Sequence, residues 1–258
     1  MRVFQLILKA ANAALSLMVA AALCAAGLYA GYALWDNGRV YAAAEDVQAQ
    51  MLGLKPQAEA GKISFEQCLA INPDVCGWIT LEGTRVDYPI LQGETNLTYI
   101  NTDVYGQFAL AGSIYLDSRN RKDFSDRYAL LYGHHMDNGG MFGDLARYQD
   151  EAFFEEHASG TLLTPDGAYR LEIFACLLCS ASDAYLFDPE PWRTQIDDLL
   201  PYVQRRAACL RAETLAQLRG HEGSRILALS TCSSAFTDAR TVVLAAVLPD
   251  YTLDQEGR

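Results

Sequence analysis

Ile226-Leu-Ala-Leu-Ser-Thr-Cys232-Ser-Ser-Ala-Phe-Thr-Asp-Ala-Arg240-Thr-Val-Val-Leu-Ala-Ala-Val247 is the stretch on which the reading of this chain turns. Two apolar, partly β-branched runs flank a small polar connection, the pattern of neighbouring strands. Cys232 then stands at a strand mouth, and Arg240 returns close to it at the start of the next strand. A cation beside a thiol favours the thiolate, the nucleophilic form. The pair marks a candidate catalytic cysteine that needs a histidine from elsewhere in the chain.

Working outward, six earlier runs have the same character: Gly77–Leu81, Val86–Leu91, Gly112–Leu116, Tyr128–Tyr132, Gly160–Thr164 and Tyr169–Leu178. Eight short strands separated by turns predict a closed all-β barrel or sandwich. Two helical insertions interrupt them, one after Met141 and a longer one from about Pro191 to Leu218. Ahead of the strands, Ser64 opens a helix toward Ile71, with Gln67 completing a capping-box pattern. Before it, 38–54 reads as a helical stalk that breaks at Lys55-Pro56, and 57–62 as a short linker.

The N-terminus is of another kind. From Ala10 to Trp35 there is no charged residue, a run longer than the roughly 20 residues a membrane span needs. Arg2 and Lys9 precede it and Asp36 follows, which predicts a cytoplasmic N-terminus and an extracellular remainder. A cleaved signal peptide usually has an apolar core of only about 7–15 residues. The organisation expected is a tip and transmembrane anchor over 1–36, a stalk and linker over 37–62, and a catalytic domain over 63–258. Beyond Trp35, 18 Lys and Arg stand against 32 Asp and Glu, a net charge of about −14. That surface argues against nucleic acid as a partner, since phosphate binding needs clustered cations.

Cys68, Cys76, Cys176, Cys179, Cys209 and Cys232 follow the anchor. Cys176 and Cys179 sit three apart in a strand-like run and so face opposite sides. Cys68 with Cys76 is the one bridge the spacing suggests, and the others are expected to be free.

The histidine that Cys232 needs is sought in Leu130-Leu-Tyr-Gly133-His134-His135-Met, where a strand and a glycine deliver two candidates to a loop. Here the chain resembles the class B sortases. The resemblance rests on Asn72-Pro-Asp-Val-Cys-Gly-Trp-Ile, Asp87-Tyr-Pro-Ile, Gly112-Ser-Ile-Tyr-Leu-Asp-Ser-Arg-Asn, Tyr132-Gly-His-His-Met with Met-Phe-Gly-Asp-Leu145, and Leu229-Ser-Thr-Cys with Ala-Arg240. These motifs run in family order from about Ser64 to Val247.

The resemblance implies an eight-stranded sortase barrel, mainly β, with N-terminal helices and a long helix inserted before the last two strands. It implies a cysteine transpeptidase whose catalytic trio is His134, Cys232 and Arg240, working without cofactor or metal. Asn96, Ile100, Tyr185, Leu186 and Ser230 match positions that line or contact the substrate site. The implied partners are a surface protein bearing a sorting signal and an amine, from a peptidoglycan precursor such as lipid II or from a pilin lysine. Where many members carry an aromatic and an acidic residue just after the nucleophile, this chain has Ser234 and Ala235.

Other functions are weaker readings. A zinc hydrolase using His134, His135 and Cys232 would lack a His-x-x-x-His helix and a clear fourth ligand. A papain-like peptidase places its cysteine before its histidine. A catalytically dead sortase-like binding protein is the non-enzyme alternative.

Overall fold

In the computed structural model the structure describes residues 2–59, 62–219, 221, 223–232 and 238–249, with backbone alone at 58, 59, 62 and 232. The chain divides into two compact units, Met1–Ala42 and Ala43–Arg258.

Helix α1 runs unbroken over Arg2–Leu52. The anchor and stalk expected as separate elements are thus one helix. Gly38 disfavours helix by only about 1 kcal/mol and no proline lies in this stretch, so propagation continues through it. An 18-residue window has a mean hydropathy of 2.0, and the helix is long and apolar enough to cross a membrane. The helix stops before Lys55-Pro56.

The 57–62 segment is not a bare linker: Ala58–Glu59 pairs antiparallel with Lys62–Ile63. Helix α2 covers Glu66–Ile71. Ser64 does not cap it as the capping box required. Phe65 takes the N-cap position, and Ser64 Oγ accepts only a long 3.4 Å bond from the Glu66 N–H.

All eight expected strands form. They are β1 Val75–Leu81, β2 Asp87–Leu91, β3 Ile114–Leu116, β4 Tyr128–Tyr132, β5 Ser159–Thr164, β6 Gly167–Ser180, β7 Arg225–Cys232 and β8 Ala239–Pro249. Hydrogen bonding runs β8–β7–β4–β3–β2–β1–β5–β6, and β6 pairs back onto β8 to close an eight-stranded barrel. Closure joins the two end strands of the sheet to each other, so no strand is left as an outer edge along its whole length. The β2–β3 and β4–β7 pairs are parallel and the rest antiparallel.

Among the described residues, buried clusters tie the barrel to the elements around it. One packs Tyr128, Leu130, Phe174 and Leu244 against Trp192, Leu199, Val203 and Leu215 of the later insert. Another gathers Trp78, Val75, Leu91 and Tyr99 with Met51 and Phe65. The Trp78 indole donates to Asp87 at 2.6 Å, and the Lys55 ammonium reaches the same carboxylate at 2.8 Å. Cys68 and Cys76 are both free, because their thiols are directed to different backbone carbonyls, those of Leu54 and Ile90.

The insertion after Met141 is a 3-10 helix over Gly143–Gln149 followed by α3, Glu151–Glu156. The insertion before β7 is helical but is not one long helix. It holds α4 Ala184–Phe187, a 3-10 turn Glu190–Trp192, α5 Leu199–Arg206 and α6 Ala212–Arg219. Between α5 and α6, Cys209–Leu210 adds a short edge strand to β6. The Ala208 and Arg211 N–H groups donate to the Cys176 and Phe174 carbonyls at 2.8 and 2.7 Å. Sheet bonds there replace helix bonds, and the helix breaks. Ser234 and Ala235 lie outside the described residues.

Candidate active site

The site sits at one end of the barrel, where β4, β7, β8 and β6 end or begin together. The last parallel pair is Tyr132 with Ser230, and the Gly133 N–H continues it to the Ser230 carbonyl at 3.2 Å. Two residues on from that pair come His134 on one chain and Cys232 on the other. Across the next pairing Cys232 is the direct partner of Arg240, and Arg240 in turn is the partner of Cys179. The two halves of the opening motif are thus joined by strand register.

A cleft of about 260 Å³ opens at this end, lined by Ile100, Tyr115, Tyr132, Gly133, His134, Ala181, Phe187, Ser230, Thr231 and Arg240. Arg240 brings a full positive charge, and no carboxylate lines the cleft among the described residues. Its Nη1 donates to the Ala239 carbonyl at 3.0 Å, and it forms no ion pair among the described residues. Such a charge is available to whatever negative group develops in the cleft.

His134 is half-buried and its Nε2 lies 2.6 Å from the Ile100 carbonyl. A carbonyl only accepts, so Nε2 carries the proton in this contact and Nδ1 is the other ring nitrogen. Gly133 before it has no room for a side chain: a Cβ would come within 2.5 Å of Ile114 and 2.7 Å of Phe142. His135 does not line the cleft. It sits 3.4 Å from Asp137 and forms a bridge with Met141.

Gly112 lies close against the Ile100 carbonyl: its φ is +57, and a Cβ there would lie 2.4 Å from that oxygen. Gly112→Ala should therefore disturb both the fold and the histidine. The left-handed backbone alone costs on the order of 1–3 kcal/mol for a side-chain-bearing residue, and the clash adds to it. Urea unfolding should show a loss of at least about 2 kcal/mol; unchanged stability would mean the loop relaxes freely.

Two hydroxyls in the cleft, Ser230 Oγ and Thr231 Oγ1, are buried and have no hydrogen-bond partner among the described residues. Buried polar groups rarely stay unpaired without reason.

The aromatic wall is stiffened from behind. Tyr115, Tyr132 and Phe187 stack in sequence, with centroids 5.3 and 6.4 Å apart. The Tyr132 hydroxyl donates to the buried Asp117 carboxylate at 3.0 Å. Asp117 also accepts from Asn96 at 2.9 Å and from the Arg119 fork at 2.9 and 2.8 Å. Arg119 reaches on to the Phe187 carbonyl at 2.7 Å and Asp188 at 3.2 Å. Burial pushes the Asp117 carboxyl up, but the bonds from Arg119 and Tyr132 outweigh it and hold it below the usual carboxylate range. Burial, with Asp117 beside it, raises the Tyr132 phenol, which stays a donor.

Of the residues singled out from sequence, the structure brings His134, Ile100, Ser230 and Arg240 to the cleft, with the Cys232 backbone opposite Arg240. Asn96 stands behind the wall, bonded to Asp117 and to the Ser118 N–H. Tyr185 stacks on Tyr202 and Trp192, and Leu186 is fully buried in the core. Tyr132, Thr231, Asp117 and Arg119 stand inside the family motifs but carry no site role in the sequence reading, and nothing local marks Phe187 as cleft-lining.

The other described thiols of the barrel domain are poor nucleophiles. Burial, the largest cause for each, pushes Cys76, Cys176 and Cys179 up to about 12 and also raises Cys68 and Cys209.

No family model matches the chain. Sortase B of Staphylococcus aureus is 32% identical over 206 residues, which cover 77% of this chain and 80% of that protein. The chain belongs to the sortase B family. Sortase B of Listeria monocytogenes is 33% identical over 164 residues, 64% of this chain and 65% of that one. The crystal structure of a Streptococcus pyogenes class B sortase involved in pilus biogenesis superposes with a TM-score of 0.64 at 38% identity, covering 71% of this chain and 97% of the other. This sortase is accordingly a cysteine transpeptidase on a closed eight-stranded barrel.

Proposed function

We propose that the enzyme cleaves a C-terminal sorting signal after threonine and passes the acyl group to an amine, with Cys232, His134 and Arg240 carrying the chemistry. The observation that carries this reading is the register that sets Cys232 opposite Arg240 beside the cleft containing His134. The Cys232 thiolate attacks the threonine carbonyl carbon, forming a C–S bond. The developing oxyanion lies beside the Arg240 guanidinium. As the C–N bond breaks, His134 gives its proton to the leaving amine. An incoming amine then attacks the thioester, His134 takes its proton, and the C–S bond breaks to restore the thiolate.

Ile100, Tyr132 and Phe187 form the apolar walls for the peptide, and Ser230 and Thr231 bond its backbone. Residues 1–36 act as a single-pass anchor with a cytoplasmic N-terminus, and the 63–258 domain works outside the membrane. The acceptor is a cross-bridge amine of a peptidoglycan precursor. The 38% identity to the pilus-associated S. pyogenes enzyme favours a pilin lysine as the second reading.

The test is transfer itself. The full chain in detergent micelles would be offered peptides with Thr–Gly or Thr–Asn bonds, together with oligoglycine or a lysine peptide. An amide-linked product from one acceptor, seen by mass spectrometry, is the expected result. Neither cleavage nor thioacyl enzyme across the panel would sink the proposal.

A further inference from the structure

Cys176 in β6 and Cys209 in the short edge strand are Cα partners on adjacent antiparallel strands. Residues so opposed have Cα atoms roughly 4.5–5.5 Å apart and share a face of the sheet. That separation lies inside the roughly 4.4–6.8 Å that a disulfide spans. Cys176 is fully buried, whereas Cys209 is only half-buried and directs its Sγ toward the Gln149 carbonyl at 3.8 Å. A reagent in solution can reach the second thiol, and the first waits behind it. Among the described cysteines, no other two are register partners.

We propose that Cys176 and Cys209 join as a disulfide that fastens the helical insert to the barrel. The oxidant is itself a disulfide, either a small molecule or the active-site bond of an oxidoreductase. The Cys209 thiolate attacks one sulfur of that bond, giving a mixed disulfide and releasing one thiolate. Cys176 then loses its proton and attacks the Cys209 sulfur, releasing the second thiolate. Two electrons pass to the oxidant, which ends as two thiols, and the two cysteines give up two protons. Both thiols are raised by burial, and Cys209 further by Glu151, Asp150 and Glu155. The bond therefore forms slowly, and once formed its Cys176 side is shielded from reductant. It closes the loop over residues 177–208, which contains Phe187 of the cleft wall.

The experiment uses the full chain in detergent with Cys232→Ala, so that the proposed nucleophile cannot compete for oxidant. After incubation with oxidised glutathione, the protein is denatured, alkylated and digested without reductant. The expected product is a peptide pair linked through Cys176 and Cys209, about 2 Da lighter than its reduced parts. The melting temperature should rise by ~5–10 °C, as for a loop of this length in a domain of this size, and Cys209→Ser should cancel the rise. Recovery of both cysteines fully alkylated, glutathione retained on Cys209 beside a free Cys176, or a different pairing would each overturn the proposal. A linked pair with no change in melting temperature would overturn the fastening role.

Discussion

Cys232→Ala is expected to leave no measurable cleavage or transfer while the melting temperature stays close to that of the native chain. Removing the nucleophile of a covalent mechanism typically costs on the order of 10⁶ in rate. No other described thiol beyond the anchor is placed to take over. Burial pushes Cys76, Cys176 and Cys179 up to about 12, so they stay as thiols at neutral pH. Cys179 is the sternest control, because it is the register partner of Arg240 on the β6 side and its Sγ lies 3.7 Å from the Arg240 carbonyl. A sorting peptide ending in a reactive methyl ketone provides the readout. The native chain should gain one covalent peptide, mapped to Cys232, and Cys232→Ala should gain none. Labelling of Cys232→Ala at the native rate would move the nucleophile elsewhere.

Arg240→Ala should lower kcat/KM by about 10²–10³, with the larger part in kcat, as when a single oxyanion donor is removed from an acyl-transfer site. The cleft offers no other full positive charge among its described lining residues, so no neighbour compensates. Arg240→Lys should recover only part of the loss. An ammonium keeps the charge but lacks the planar fork that can hold both a peptide carbonyl and an oxyanion. Steady-state kinetics on the peptide, with thioacyl formation followed separately, distinguish the two roles. If Arg240→Ala raised KM and left kcat untouched, the guanidinium would serve binding alone.

The barrel was readable because each strand carries its own evidence: short β-rich runs bounded by turns, from Gly77–Leu81 to Thr241–Leu248. The candidate trio stands out in sequence through short motifs, each local to its own strand end. Less legible were features whose cause is a distant partner. The insert breaks between α5 and α6 because β6 offers edge hydrogen bonds to 208–211, which no local propensity announces. Ser64 and Gln67 carry a capping signature, yet the N-cap falls one residue later, on Phe65.

By itself the sequence determined the apolar N-terminal helix, the eight strands and the candidate nucleophile, cation and histidine, because each is a property of residue type and near-neighbour spacing. Only the tertiary structure decided which of those strands are neighbours, and with that the contents of the cleft. Register placed Ser230 beside Tyr132 and Arg240 opposite Cys232. Folding also put Gly112 against the carbonyl that holds His134, and set Asp117 and Arg119 to brace Tyr132 and Phe187. Those contacts join residues on different elements, and sheet pairing and closure, which act between strands rather than along them, bring them into reach.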